Sequence, residues 1–152
     1  MKTLVIYDSV FGNTQKLAEA MAEGLDSKAV RVAEVGGVSL ADTDLLLVGA
    51  PTRAFRPTPA LMEWLKALPS GALSGKRAAA FDSRISPDKV KSGALRLMMK
   101  KFGYAASDIE KELKKKGASV ASPPEGFFVE ESEGPLSEGE EARAAAWARN
   151  LV

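Results

Sequence analysis

The chain has 152 residues, the size of one domain, and a net charge of only +1, which does not favour nucleic acid or a charged membrane surface as a partner. It contains no cysteine and no histidine, which excludes disulfides, thiolate metal sites, thiol nucleophiles and histidine general bases. No apolar run approaches the roughly 20 residues of a membrane helix, and Leu4-Val5-Ile6 is too short for the core of a signal peptide. We therefore expect a single cytoplasmic domain, residues 1–152, without membrane insertion.

The first predicted elements are a strand and a helix. Residues Thr3–Tyr7 are β-branched, apolar or aromatic, which is typical of a buried strand. Leu17, Met21 and Leu25 recur every four residues and predict one buried face of a helix.

The loop between these two elements is the first candidate binding site. A strand, a short loop and a helix in this order direct the loop N–H groups and the positive end of the helix toward one point, which favours an anion such as phosphate. An ordinary βα turn, in which Asn13 or Thr14 only caps the helix, is the alternative. The loop has no Lys or Arg, so a phosphate is expected to be held mainly by neutral donors. The loop consists of Ser9, Val10, Phe11, Gly12, Asn13 and Thr14.

Three further strands are predicted between residues 29 and 81. Apolar and charged residues alternate over Ala29–Val35, which indicates an edge strand. The unbroken apolar run Leu45–Ala50 is typical of a central parallel strand that is covered on both faces, and Arg77–Phe81 predicts the fourth strand. Between the last two, Thr58 is expected to cap a helix that begins at Pro59.

Two helices in the second half are predicted from capping boxes, in which a hydroxyl residue precedes a glutamate by three positions. Ser107 and Glu110 form the first box, and Ser137 and Glu140 form the second, whose helix runs to about Asn150. The fifth strand is expected at residues 118–121, with an interruption at two prolines and a continuation at residues 127–129.

Residues 88–103 are less regular, because methionine, phenylalanine and other apolar residues are mixed with lysines and an arginine. A helix is predicted over roughly 92–102. The segment could be a core helix with a solvated face, a lid or a dimer contact, and the sequence leaves these three interpretations open.

Strands that alternate with helices predict an α/β fold with a five-stranded parallel sheet and helices on both faces. In such sheets ligands bind beyond the carboxyl ends of the strands, at the point where the strand order reverses. With the strand order 2-1-3-4-5, the loops after strands one, three and four are neighbours. The second of these loops contains Pro51, Thr52, Arg53, Ala54 and Phe55, and the third contains Asp82, Ser83 and Arg84.

Several doubly wound families are excluded by their missing motifs. The chain has neither G-x-G-x-x-G nor G-x-x-x-x-G-K-[ST], and no aspartate ends the third strand as in a phospho-acceptor receiver. The loop Ser9–Thr14 instead resembles the phosphate loop of flavodoxins. The segment Pro51–Phe55 resembles the corresponding loop of flavodoxin-fold NAD(P)H:quinone oxidoreductases. The whole chain is similar to small bacterial and archaeal flavodoxin-domain proteins, with which it shares Ala80–Arg84 and Gly134–Glu140.

This resemblance implies a flavodoxin-like, doubly wound three-layer sandwich that binds FMN. The first loop would hold the phosphate, with Val10 among its residues. The second loop, from Pro51, would lie along the flavin ring, and the third would meet its pyrimidine edge through backbone N–H groups. Arg53, Arg56 and Arg84 would then favour the anionic reduced flavin by about 1–4 kcal/mol for each close pair. The chain departs from the family in lacking an acidic net charge and in having Phe55 as the only aromatic residue of the second loop.

Three function classes follow from the resemblance. We favour an FMN-binding electron carrier that passes electrons to a redox partner protein or a small-molecule acceptor, because the chain is short and shows no side-chain acid–base pair. The alternatives are an NAD(P)H-dependent quinone or flavin reductase and a non-catalytic interaction module. No catalytic residue and no metal site is predicted, and we expect a monomer or a weak dimer.

Overall fold

The computed structural model describes residues 1–152, with the exception of the side chain of Phe102. The strands of the described chain are β1 (Thr3–Tyr7), β2 (Lys28–Arg31), β3 (Leu45–Pro51), β4 (Arg77–Ile85), β5 (Ser119–Val120) and β6 (Glu125–Val129). Its helices are α1 (Asn13–Gly24), α2 (Pro59–Ala67), α3 (Gly93–Phe102), α4 (Ala105–Lys115) and α5 (Glu140–Arg149). Short 3₁₀ turns span Val32–Gly37 and Pro87–Lys89.

The strands form one parallel sheet in the order β2-β1-β3-β4-β5, which confirms the predicted α/β fold and strand order. The predicted fifth strand is divided into β5 and β6, and both pair with β4. The division falls at Ser122–Pro124, where proline cannot donate a hydrogen bond to the sheet. Because β6 lies beside the far end of β4, the sheet extends toward the loops that carry the candidate site.

Each face of the sheet is covered by two helices, and each interface forms an apolar core. On one face, Leu61 of α2 and Ile109 of α4 pack on Leu46 and Val48. On the other face, α1 and α5 pack on Leu45 and Leu47 through the fully buried residues Leu17, Met21, Ala144 and Ala148. This pattern confirms β3 as a central strand that is buried on both sides.

One glycine of β3 is required by the packing of its neighbour. A Cβ atom at Gly49 would lie 2.3 Å from the ring of Phe81, which stands beside it in β4. Phe81 is fully buried and contacts Trp147 edge to face, with ring centroids 6.3 Å apart. A close approach of a ring to the backbone therefore explains a glycine inside a buried strand.

Two strand predictions were wrong in their extent. The strand predicted over Ala29–Val35 ends at Arg31, because Val32 and Val35 are buried together at a spacing of three residues, which suits a 3₁₀ turn rather than alternation. The fourth strand does not end at Phe81. It continues to Ile85, since β6 provides a second hydrogen-bonding partner, so Asp82, Ser83 and Arg84 lie in a strand and not in a loop.

Both predicted capping boxes were also wrong. Helix α4 begins at Ala105, and its first N–H groups donate to the Thr52 hydroxyl at 3.1 Å and to the Asp82 carboxylate at 2.9 Å. Helix α5 begins at Glu140 after Gly139, while the Glu140 carboxylate accepts a bond from the backbone N–H of Phe128. Groups from distant segments replace the local cap of α4, whereas α5 begins after Gly139 without a side-chain cap. A sequence spacing cannot reveal either arrangement.

The helix predicted over 92–102 is confirmed as α3, and Ser92 caps it by accepting a bond from the N–H of Leu95 at 3.2 Å. Among its described side chains only Met99 is buried. Leu95, Leu97 and Met98 are 41%, 68% and 44% exposed. Along the described chain, no helix is both long and apolar enough to cross a membrane.

Candidate functional site

A cavity of about 330 Å³ opens at the carboxyl ends of β1, β3 and β4. This is the position that the strand order predicts for a ligand, and the volume lies within the usual range for small-molecule sites. Most of the predicted site residues line it: Ser9, Val10, Phe11, Asn13, Thr14, Pro51, Thr52, Arg53, Ala54, Ser83 and Arg84. Gly12, Phe55 and Asp82 do not line it, although they belong to the same loop, turn and strand.

The loop after β1 presents free backbone donors to this cavity. Gly12 adopts a left-handed conformation with φ of +94°, which turns the chain into α1. The Ser9 hydroxyl oxygen accepts a bond from the N–H of Gly12 at 3.1 Å. The N–H groups of Phe11, Asn13 and Thr14 have no acceptor among the described residues. These three donors stand at the positive end of α1, an arrangement suited to an anion.

The hydroxyl groups around the cavity can donate as well. The Thr14 and Ser83 oxygens lie 2.8 Å apart, and both residues are buried. One of the two protons forms the bond between them, so the other is free to point into the cavity. The Ser9 oxygen already accepts a bond from Gly12, and its own proton can therefore be donated to a ligand.

A cation that the sequence did not reveal supports the loop from behind. Arg31 stands beside Tyr7 at the end of the sheet, because the two residues are paired between β2 and β1. Its Nη1 atom donates to the Ser9 carbonyl oxygen at 3.0 Å and lies 3.6 Å from an Asp8 carboxylate oxygen. The loop itself has no cation, yet the parallel register brings one to it, with Asp8 as its counter-ion.

The second predicted loop forms a tight turn at the rim of the cavity. The backbone N–H and C=O groups of Arg53 and Arg56 bond to each other, at 2.8 and 2.9 Å. Between them Ala54 and Phe55 have φ values of +48° and +69°, which two consecutive non-glycine residues rarely adopt. This is the pattern of a type I′ turn, normally built from Asn-Gly, and strain of this kind is concentrated at binding sites.

Phe55 turns away from the cavity toward an apolar groove beneath α3. The groove has a volume of about 210 Å³, and Val90, Leu95, Met99 and Tyr104 also line it. Thr52, Ala54, Arg84 and Ile85 border both the groove and the cavity. The two spaces are therefore neighbours along one wall, with the cavity on its polar side and the groove on its apolar side.

Arg84 is already engaged inside the protein. Its Nε and Nη2 atoms donate to the two carboxylate oxygens of Asp82, each at 2.7 Å, and its guanidinium lies 3.6 Å from the centre of the Tyr104 ring. Asp82 is fully buried, and burial raises the pKa of its carboxyl while Arg84 opposes that rise. The Arg84 charge is thus largely compensated by Asp82. The other two arginines are also engaged, Arg53 with the Phe11 ring at 5.1 Å and Arg56 with Asp108 at 3.6 Å.

The opposite wall of the cavity comes from an acidic segment, residues 130–141, that we did not assign to the site from the sequence. Ser132 and Glu133 line the cavity beside Val129. The Asn13 side chain donates to the Glu133 carbonyl oxygen at 3.1 Å, and a Cβ atom at Gly134 would lie 2.6 Å from that same amide. The amide of Asn13 therefore fastens the segment to the loop instead of pointing toward a ligand.

Comparisons with known proteins agree with this geometry. A family profile described as the flavodoxin domain matches residues 4–123. A flavodoxin from Aquifex aeolicus (strain VF5) is 31% identical over 140 residues, which cover 81% of this chain and 76% of that protein.

Solved structures show the same fold. Oxidised flavodoxin 1 from Bacillus cereus superposes with a TM-score of 0.76 at 18% identity and covers 99% of this chain and 97% of that one. Rubredoxin oxygen:oxidoreductase from the anaerobe Desulfovibrio gigas superposes with a TM-score of 0.72 at 19% identity, covering 99% of this chain but only 35% of that one. Flavodoxins bind FMN and transfer electrons. The chain belongs to the flavodoxin family, and its cofactor and general role are those of an FMN-type electron-transfer protein.

Proposed function

We propose that this protein is a cytoplasmic electron carrier that passes electrons between redox partners, with FMN held in the cavity at the ends of β1, β3 and β4. The observation that carries the proposal is the set of unpaired N–H groups and free hydroxyl protons that face this cavity. The flavin supplies the redox chemistry when it is bound, and the chain binds it, orients it and limits its contact with water.

The polar side of the cavity fits the phosphate of FMN. The N–H groups of Phe11, Asn13 and Thr14 and the hydroxyls of Ser9 and Thr14 are neutral donors at a helix N-terminus. Arg31 adds a cation behind the loop, and its partner Asp8 offsets most of that charge. A charge-assisted hydrogen bond contributes about 1.5–3 kcal/mol, so several such donors are sufficient for stable binding.

The flavin ring would lie along the wall formed by Thr52, Arg53 and Ala54, beside Ser83 and Arg84. Phe55 lines the groove rather than the cavity, and its contact with the flavin ring stays a prediction. The hydrogen bond between Arg53 and Arg56 fixes the turn, and the bidentate bond to Asp82 fixes Arg84. The wall is therefore rigid before a ligand arrives, which lowers the entropy lost on binding.

Among the described residues that line the cavity, no two side chains form an acid–base pair for a second substrate. The acidic groups near the cavity are Asp82, which is buried and paired, and Glu133, which is exposed at the rim. We infer that the protein works by holding the flavin rather than by acid–base catalysis. An electron carrier requires only a bound flavin and a route for the electron from the flavin to a partner.

Titration of the apoprotein with FMN tests the proposal. We expect quenching of flavin fluorescence with a dissociation constant in the micromolar range or below. Thr14→Val/Ser83→Ala removes both hydroxyls of this hydrogen-bonded pair, and with them its one free proton, and should weaken binding by about 10–100-fold, the equivalent of one hydrogen bond to a charged group. Thr43→Val, at a buried threonine just before β3 and at the opposite end of the sheet, is the matched control and should leave binding unchanged. No FMN binding in the micromolar range would refute the proposal.

Anaerobic addition of NADPH to the FMN-loaded protein separates the carrier from the reductase. We expect no rapid bleaching of flavin absorbance and no steady oxidation of NADPH in the presence of a quinone. Fast bleaching with quinone turnover would instead assign the protein to the NAD(P)H-dependent reductases.

A further inference from the structure

The charges of the described chain are concentrated in two segments beside the cavity, which meet where Lys89 of one pairs with Glu130 of the other. Residues 86–101 carry five basic side chains and one acidic side chain, a net charge of +4 in a chain whose total is +1. Residues 130–141 carry six glutamates and no basic residue. The basic residues of the first segment are Lys89, Lys91, Arg96, Lys100 and Lys101.

The basic segment is exposed and continuous with the wall of the cavity. Among the described residues, Lys91, Arg96 and Lys100 form no ion pair. A depression of about 440 Å³ is lined by Phe55, Arg56, Met98 and Lys101, so the Arg53–Arg56 turn and α3 share one surface. We call residues 86–101 together with this turn the basic face.

The basic face also exposes apolar side chains at its centre. Leu95, Leu97 and Met98 are exposed on α3. Met99 is the buried side chain among those of α3 that the structure describes, whereas Leu95, Leu97 and Met98 are exposed to a partner. Apolar residues ringed by charges of one sign are typical of an interaction surface rather than of a plain solvated helix.

We propose that the basic face docks a small acidic electron-transfer protein. The inference rests on the proposed carrier function, because Arg53 and Ala54 belong both to the basic face and to the wall of the flavin cavity. A partner on α3 would therefore stand one turn of chain away from the cofactor. The acidic segment on the other side of the cavity would repel the same partner and orient it toward α3.

The observations favour an acidic protein over two other occupants. A second copy of the chain that met the first symmetrically through the basic face would bring two surfaces of net positive charge together, which is unfavourable. A membrane would require a larger apolar area than the three exposed side chains of one ten-residue helix provide. A small patch is sufficient for a transient redox complex, since such interfaces often bury less than about 1,200 Å².

A titration with a defined acidic probe tests the inference. The ¹⁵N-labelled protein, with and without FMN, is mixed with a [2Fe–2S] ferredoxin of net negative charge, and its backbone amide shifts are followed by NMR. We expect shifts in α3 and in the Arg53–Arg56 turn, and a roughly 10-fold or greater loss of affinity when NaCl rises from about 10 to about 200 mM. A cytochrome c of net positive charge should not shift these amides.

Charge-reversal variants locate the effect. Lys91→Glu/Arg96→Glu/Lys100→Glu should weaken ferredoxin binding at low salt by about 30-fold or more. Lys2→Glu/Lys28→Glu/Arg149→Glu makes the same change in net charge at the opposite end of the sheet, and it should change binding by no more than about 3-fold. Leu97→Ser should weaken binding by a few-fold through the apolar contact alone. Circular dichroism of each variant verifies that it is folded.

Three results would overturn the inference. The first is absence of ferredoxin binding at low salt, and the second is an equal loss in both triple variants. The third is binding to vesicles of phosphatidylserine without binding to ferredoxin. That result would assign the basic face to a membrane. Failure of FMN to bind would overturn the carrier function separately, because the NMR titration without FMN still reports on the surface.

Discussion

The ion pair between Asp82 and Arg84 provides the sharpest test of the site's construction. Asp82 is fully buried and receives two bonds from Arg84 at 2.7 Å and one from the N–H of Ala106 at 2.9 Å. Arg84→Ala removes the two strongest of these bonds and leaves a buried carboxylate with no cation beside it. Loss of one partner of a buried pair costs about 3–5 kcal/mol. For a domain of about 150 residues this corresponds to a fall in Tm of about 6–20 °C.

The loss should depend on pH in a defined direction. Burial already raises the pKa of Asp82, and removal of Arg84 takes away the main force that opposes this rise. A carboxyl whose pKa is higher in the folded state than in the unfolded state favours folding while it is protonated. The stability of the variant should therefore fall as the pH rises above the ordinary aspartate pKa of 3.8 toward the folded value. The penalty will be larger at pH 7.5 than at pH 5.

Urea unfolding of the apoprotein, followed by circular dichroism at both pH values, measures this penalty. Arg56→Ala is the matched control, because Arg56 pairs with Asp108 at 3.6 Å and is 76% exposed, so it should cost less than about 1 kcal/mol. Adding Asp82→Asn to Arg84→Ala should recover part of the loss, since the buried charge is gone. A loss below about 1 kcal/mol for Arg84→Ala, or an equal loss at both pH values, would refute the reasoning.

Three further changes test other parts of the site. Glu133→Gln should tighten FMN binding about 2–5-fold in a fluorescence titration, because a rim carboxylate repels the phosphate, whereas Glu138→Gln, outside the cavity, should not. Ala54→Gly should raise the free energy of unfolding by up to about 1 kcal/mol in urea, since φ is +48° there; an unchanged or lower value would contradict the strained turn. A hydrogen bond from Arg143 lowers the pKa of Glu140, so Glu140→Gln should cost about 1.5 kcal/mol at pH 7 and progressively less as the pH falls below 4.5.

The α/β class could be predicted because the two central strands, β1 and β3, have strong local signatures, whereas the order 2-1-3-4-5 is the one that the resemblance to flavodoxins implies. The unbroken apolar run at Leu45–Ala50 requires that β3 be covered on both faces. The residues of Thr3–Tyr7 require the same cover for the neighbouring strand β1. Alternation with helices then restricts the connections to a few arrangements. The position of the candidate site follows from that order, without knowledge of any side-chain contact.

The details that could not be predicted depend on distant partners. The end of β4 is set by its pairing with β6. Ile85, the last residue of β4, pairs with Val129 of β6, which is 44 positions further along the chain. The first N–H groups of α4 are satisfied by Thr52 and Asp82, so the local hydroxyl at Ser107 is not needed as a cap. Local propensity is informative only where no tertiary partner competes with it.

The dependence on distant partners also changes the role expected for Arg84. In the sequence, Arg84 follows Asp82 in an apparent loop, and its charge seems available to a reduced flavin. In the extended strand the side chains two residues apart lie on the same face, so the guanidinium reaches the carboxylate directly. Asp82 therefore compensates the Arg84 charge in the wall of the cavity, while Arg53 in the same wall contacts the Phe11 ring and forms no ion pair with a described residue. Among the described residues, Lys91, Arg96 and Lys100, on and just before α3, form no ion pair and lie outside the cavity. This separation favours a protein that stabilises its cofactor with neutral donors and uses its free charges to select a partner.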